Sequence, residues 1–218
     1  MVKKKRLFGP SIASKEIKYV SKAAAKGWFD NSTFFQREFE NKLKKIFRRK
    51  YAVLTSNGTH AIHLALAAND IGAGDEVIVP NCTWIATCSP VVQTGAKIVF
   101  ADIEKESWCI SVKSILKSIT KKTKAIISVD LYGNMPDYDK LVKICKSKKI
   151  ILIEDAAESI GSFYKNRPAG SFGDCSIFSF HGTKIITTGE GGVLLTNNSN
   201  LFNRASMLGD HGRYRNKT

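Results

Sequence analysis

A single lysine, Lys184, stands where an apolar run bends into a glycine-rich turn, in FSFHGTKIITTGEGG from Phe178 to Gly192. At a buried strand end an amine gives up its proton more readily than in water. An unprotonated amine is what imine formation with an aldehyde requires, whereas a solvated loop lysine has no such role. In TSNGTHAIHLAL, Thr55 to Leu66, an apolar run ends in a polar turn and a helix starts near Thr59. The unpaired N–H groups and positive end of such a helix suit a phosphate, and Ser56 and Thr59 add hydroxyls. The same residues also read as an ordinary N-cap, and no Gly-Lys-Ser/Thr follows to make a Walker loop. VPNCTWIAT, Val79 to Thr87, places Trp84 just past another apolar run, either as a plate for a flat ring or as a core tryptophan. LIEDAAES, Leu152 to Ser159, delivers Glu154 and Asp155 and then Glu158. A buried carboxylate at a strand end wants a cationic partner, such as a protonated ring nitrogen, unless it caps a helical turn.

Taken in order, a phosphate cradle, an aromatic plate, a strand-end acid and an imine-forming lysine are the parts that hold pyridoxal 5'-phosphate. The acid keeps the ring nitrogen protonated, and the ring then accepts the electrons released when a substrate Cα–H bond breaks. The lysine holds the aldehyde and afterwards moves the proton.

These residues need a scaffold that puts strand ends side by side. The apolar runs 51–56, 76–80, 97–102, 124–130, 150–155, 175–180 and 191–197 alternate with helical stretches such as HAIHLALAAND and MPDYDKLVKICKSKK. That alternation predicts a three-layer α/β/α fold on a mostly parallel sheet of about seven strands. In such sheets ligands sit at the carboxyl ends of the strands. The loop between the last two runs is too short for a helical crossover, so one of that pair runs antiparallel. Two helical segments, near Lys15–Lys26 and Thr33–Phe47, come first and meet at Gly27. The expected division is a helical segment over 1–48 and a sheet core over 49–218, together one domain.

The chain has 218 residues and a formal charge of +15. Its basic residues are scattered, including Lys3 to Arg6, with no aromatic-interleaved basic motif and no zinc-finger spacing. The excess therefore reads as a surface for an anionic substrate rather than for nucleic acid. No apolar run approaches the roughly 20 residues of a membrane span, and MVKKKRLFGPSIAS lacks the apolar core of a secretory leader. The five cysteines, Cys82, Cys88, Cys109, Cys145 and Cys175, include no CxxC. They read as reduced thiols of a cytoplasmic protein, without a metal site.

With these motifs in hand the chain resembles the sugar aminotransferases of the DegT/DnrJ/EryC1/StrS family, perosamine synthase-like members above all. TSNGTHAIHLAL, GDEVIVPNCTWIAT, TGAKIVFADI, IEDAAESIGSFY, GSFGDCSIFSFHGTKIITTGEGGVLLTN and MLGDHG carry the likeness, from about Leu7 to Gly212. The resemblance implies an aspartate-aminotransferase-like large domain. It implies that Lys184 holds the cofactor aldehyde, Asp155 pairs with the ring nitrogen and Trp84 stacks on the ring. Gly58, Thr59, Ser56 and Ser179 would hold the phosphate, Glu158 would lie near the ring hydroxyl, and His181 would face the substrate. Family members pass an amino group from glutamate to a nucleoside-diphosphate-linked keto sugar and work as dimers. A sister branch that dehydrates its substrate has histidine in place of the lysine. Family members also continue past the DHG segment into a smaller domain, so the resemblance implies that this domain is absent here. A partner-dependent or non-catalytic half of such an enzyme is the alternative reading.

Overall fold

The computed structural model describes residues 9–213; the basic run Lys3–Arg6 lies outside them. Two helices lead, α1 (Ser14–Lys26) and α2 (Phe34–Ile46), parted at Gly27 and by a short 3-10 turn. Then follow β1 (Tyr51–Thr55), α3 (Gly58–Ala68), β2 (Glu76–Pro80), α4 (Ser89–Gln93), β3 (Lys97–Ala101), α5 (Val112–Ser118) and β4 (Thr123–Val129). The chain continues through α6 (Tyr138–Lys148), β5 (Ile151–Asp155), the hairpin β6 (Phe163–Tyr164) and β7 (Arg167–Pro168), β8 (Cys175–Ser179), β9 (Gly192–Thr196) and α7 (Ser199–Leu208). Four of the helices open on side-chain caps: Asn57, Ser111, Asp137 and Asn198 each accept a first-turn N–H. Each such cap contributes about 1 kcal/mol.

Seven strands form one sheet in the order β1-β9-β8-β5-β4-β2-β3. All run parallel except β9, which is antiparallel to both β8 and β1. This is the mostly parallel three-layer architecture the alternation predicts, with the odd strand in the last pair. The hairpin β6–β7 escapes a reading by apolar runs, because each of its strands is two residues long. Its turn residues Lys165 and Asn166 both take positive φ, the conformation that suits a two-residue hairpin.

Side chains alternate across each strand, and this parity divides the core. Val77, Val79, Ile127, Ile153, Ile177 and Leu194 face α3, α4 and α7. Their neighbours Ile78, Ile126 and Leu152 face α5 and α6, and Phe178, Val193 and Leu195 pack with Phe47 at the end of α2. Phe47 stacks on Phe178 with ring centroids 4.0 Å apart. Helix α1 stands outside this scheme and buries no residue.

Parity also separates the two adjacent carboxylates of β5. Glu154, in step with Leu152, enters the α5/α6 side and is fully buried. There it accepts N–H groups from Gly170 at 2.5 Å, Phe172 at 2.8 Å and Gly173 at 3.2 Å. Arg49 lies 3.9 Å away and donates to the carbonyls of Gly170 and Gly173. Burial raises the Glu154 pKa, against the opposing pull of those N–H groups and Arg49. This cluster ties the chain before β1 to the loop before β8. Arg49→Ala leaves a buried carboxylate without its cation and is expected to cost about 3–5 kcal/mol, read as a lower urea midpoint with an unchanged slope.

Candidate active site

Asp155 is in step with Ile153, so it faces the α3 side at the carboxyl end of β5. Beside it five strand ends converge on a cavity of about 580 Å³. Asn57, Gly58 and Thr59 follow β1; Thr83, Trp84 and Thr87 follow β2; Val129 and Leu131 end β4. Asp155 comes from β5 and Ser179 from β8, and the loop to β9 adds His181, Lys184 and Glu190. The volume suits a small organic ligand.

At one wall α3 presents its first turn. Asn57 accepts the N–H of His60 at 2.8 Å, leaving Gly58 and Thr59 at the N-terminal turn, where N–H groups have no helical partner. The backbone here is packed tightly. A Cβ on Gly192 would lie 2.4 Å from the carbonyl of Asn57 and 2.7 Å from the nitrogen of Gly58. A Cβ on Gly58 would lie 3.1 Å from the Cβ of Ser179. Glycine at both positions brings β8, β9 and the helix start together, making a concave wall with the Ser179 hydroxyl on it. Ser56 does not line this cavity; its hydroxyl meets Nδ1 of His60 instead. The turn is therefore an N-cap, with Asn57 doing the capping, and its free N–H groups offer an anion cradle.

Asp155 is 5% exposed. Its Oδ2 accepts the hydroxyl of Thr87 at 2.8 Å, and its Oδ1 accepts the N–H of Ala157 at 3.2 Å. Thr87 in turn lies 2.8 Å from the hydroxyl of Thr83. An ionised carboxylate only accepts, so Thr87 spends its proton on Asp155 and Thr83 donates to Thr87. Burial raises the Asp155 pKa, while the Thr87 hydroxyl, the Ala157 N–H and the Lys184 charge oppose the rise. Thr87 was not among the residues singled out from sequence. Nothing in the local sequence marks it, because its partner Asp155 is 68 residues away.

Trp84 is 73% exposed at the rim of the cavity, so it is not a core tryptophan. Lys184 lies in the turn after β8, its backbone N–H bonded to the carbonyl of His181. Its Nζ is 3.0 Å from Oε1 of Glu158. The other oxygen of Glu158 accepts the N–H of Tyr132 at 3.1 Å, in a segment where Tyr132 and Gly133 both take positive φ. The sequence suggested an amine at an apolar strand end; the structure gives it a carboxylate. His181 pairs through Nδ1 with Thr183 at 2.9 Å and through Nε2 with Glu190 at 3.4 Å. Of the residues singled out from sequence, Gly58, Thr59, Trp84, Asp155, Glu158, Ser179, His181 and Lys184 share this cavity. Among the described residues no cluster of His, Cys, Asp or Glu is arranged to hold a metal ion, and all five cysteines are free thiols.

Comparison with known proteins follows the same lines. The DegT/DnrJ/EryC1/StrS aminotransferase family profile matches residues 10–218. GDP-perosamine synthase of Escherichia coli O157:H7 is 45% identical over 198 residues, covering 91% of this chain and 54% of that protein. The crystal structure of an aminotransferase from Psychrobacter cryohalolentis superposes with a TM-score of 0.91 at 38% identity, over 95% of this chain and 53% of the other. A Streptococcus pneumoniae protein with structures in PLP and PMP forms superposes with a TM-score of 0.85 at 31% identity, over 94% of this chain and 57% of the other. The chain spans about half the length of the curated relatives it matches.

Proposed function

Because the chain belongs to the DegT/DnrJ/EryC1/StrS aminotransferase family, we propose that it holds pyridoxal 5'-phosphate on Lys184 and transfers an amino group from glutamate to a nucleoside-diphosphate-linked keto-deoxy sugar. The observation that carries the reading is the meeting of Lys184, a buried Asp155 and the glycine-lined start of α3 in one cavity. The residues fit the cofactor on physical grounds. Asp155 is a buried carboxylate facing the cavity, and a cationic ring nitrogen would supply the counter-charge that burial calls for. The N-terminal turn at Gly58 and Thr59, with Ser179 beside it, offers the donors and positive end a phosphate needs. The amine of Lys184 lies in the same cavity, with Trp84 at its rim. Perosamine formation, named for the E. coli relative, is the finer reading of the substrate.

When bound, the cofactor supplies an electron sink for the charge released at a substrate Cα. The protein's own groups then divide the work. Lys184 would hold the cofactor aldehyde, and its Nζ, when free, would hold and move a proton. Glu158 would hold that Nζ while the amine is free of the aldehyde. Asp155 would supply the counter-charge to a ring nitrogen, and Thr87 and Ala157 fix its two oxygens. His181, held between Thr183 and Glu190, faces the open side where the sugar would enter. A second copy, or a complementing chain, would close the site, since Trp84 stands exposed at its mouth.

The test separates capture from turnover. Purified chain mixed with pyridoxal phosphate is expected to turn yellow, lose its visible band on borohydride treatment and carry the label on Lys184. Absence of label there defeats the reading. Label without conversion of a nucleotide-linked keto sugar by glutamate assigns the chain to the cofactor-binding half alone.

Thr87 supplies a third expected result. Thr87→Val removes a hydrogen bond to a charged group, worth about 1.5–3 kcal/mol. Cofactor binding is expected to weaken by roughly 10–100-fold, measured by titrating the visible band. Thr87→Ser is expected to restore most of it; equal loss in both variants would make the hydroxyl irrelevant.

A further inference from the structure

The strand ends opposite the cavity carry a second feature. Every parallel strand begins there, and exposed lysines crowd that end, six of them along β3, β4 and β5: Lys97, Lys121, Lys122, Lys124, Lys148 and Lys149. Lys97 opens β3, Lys121 to Lys124 lead into and open β4, and Lys148 and Lys149 precede β5. From β5 through β4 and β2 to β3 is three strand spacings, roughly 15 Å. The lysines therefore repel one another across less than about two screening lengths. Among the described residues only Lys97 of the six reaches a carboxylate, Glu76 at 3.9 Å.

The acids at this end, exposed Asp70 and Asp174 among them, each have a partner within the chain, Asp70 in Arg204. Glu76 accepts the Thr120 hydroxyl, Asp75 accepts the Gly72 N–H, and Asp174 accepts the Leu152 N–H. Helix-end complementarity accounts for Lys148, in the last turn of α6, because cations suit helix C-termini. It does not account for Lys97, Lys121, Lys122 or Lys124, which lie on no helix.

We propose that this face docks the protein on an anionic phospholipid surface. The chemistry favours a diffuse sheet of negative charge over a nucleic acid. All six groups are lysines, hydrated point charges suited to a diffuse sheet of charge rather than to bidentate recognition of one fixed phosphate or base edge. No exposed large aromatic residue lies at these strand starts, so bases have nothing to stack on. Helices α5 and α6 both end here, presenting carbonyls where backbone gripping of a phosphate would need N–H groups. Docking by this face leaves the cavity at the opposite strand ends open. The proposal is independent of the catalytic reading.

Vesicle sedimentation tests it, with phosphatidylcholine vesicles with and without phosphatidylglycerol at low and high salt. The chain is expected to bind only the anionic vesicles and to be released by salt. Each lysine near such a surface is worth about fivefold in partition. The variant Lys121→Glu/Lys122→Glu/Lys124→Glu is therefore expected to lose on the order of 100-fold or more. The same charge change on α1, Lys15→Glu/Lys18→Glu/Lys22→Glu, is expected to lose far less. Lys148→Glu/Lys149→Glu gives a second measure should the first variant lose its thermal transition. Equal partition onto neutral and anionic vesicles overturns the proposal, as does equal loss in the α1 variant. Tighter binding of duplex DNA than of vesicles at the same ionic strength also overturns it and makes nucleic acid the partner.

Discussion

If the chain transaminates as proposed, Lys184→Ala is expected to lose that activity by a factor on the order of 10⁴ while leaving the fold in place. The two effects separate because of where the amine sits. Its side chain is 21% exposed and that of its partner Glu158 is 27% exposed, so water can replace either group. Breaking such a pair costs about 0–1 kcal/mol, and the urea midpoint should barely move. Borohydride treatment of the variant with pyridoxal phosphate should leave no label on the chain. Lys184→Arg sharpens the result. Arginine keeps a cation beside Glu158 but does not deprotonate, so it should be as inactive as alanine. An active arginine variant would mean that position 184 contributes charge rather than a nucleophilic nitrogen, and the proposed covalent attachment would fail.

Much of this site was legible before any coordinates, because its parts follow strand ends and strand ends follow apolar runs. Asp155, Ser179 and Lys184 each lie at or just past such a run, and the parallel sheet brings them together. What could not be read was direction within a turn. Ser56 and Thr59 both carry hydroxyls near the helix start, yet the first turn begins at Gly58 and leaves Ser56 on His60. Trp84 was open between core and cavity, since one aromatic residue beyond a strand does not say which way its loop turns. Glu154 and Asp155 looked equivalent as neighbours. Alternation along IILIED puts Asp155 in step with Ile151 and Ile153, and Glu154 on the other face with the Arg49 cluster. That distinction was available in the period of two and became decisive only once the layers on each side were known. Thr87 acts through Asp155, 68 residues away, and Glu190 through His181 across the loop between β8 and β9; no periodic pattern marks either pair.

Asp155→Asn tests the opposite end of the cofactor and should split binding from stability in sign. In the chain without cofactor, Asp155 is a buried carboxylate, and Lys184, whose charge acts on it, is already held by Glu158. Burial raises its pKa above the ordinary carboxylate value. A group raised in this way contributes stability that is fully present below the unfolded pKa and is lost as the pH rises through the folded value. Asparagine is nearly the same shape and carries no charge, so the variant should escape that loss. Cofactor-free Asp155→Asn is therefore expected to be at least as stable as the parent at neutral pH, with the gap closing as the pH falls below the carboxylate range. Cofactor retention should move the other way. A cationic ring nitrogen over a neutral amide loses a buried counter-charge worth about 3–5 kcal/mol, so retention should fall by roughly 10²–10⁴-fold. Thermal melts across pH read the first effect and titration of the visible band reads the second. A variant that is less stable without cofactor yet binds it unchanged would show that Asp155 serves the packing of Thr87 and Ala157 rather than the ring.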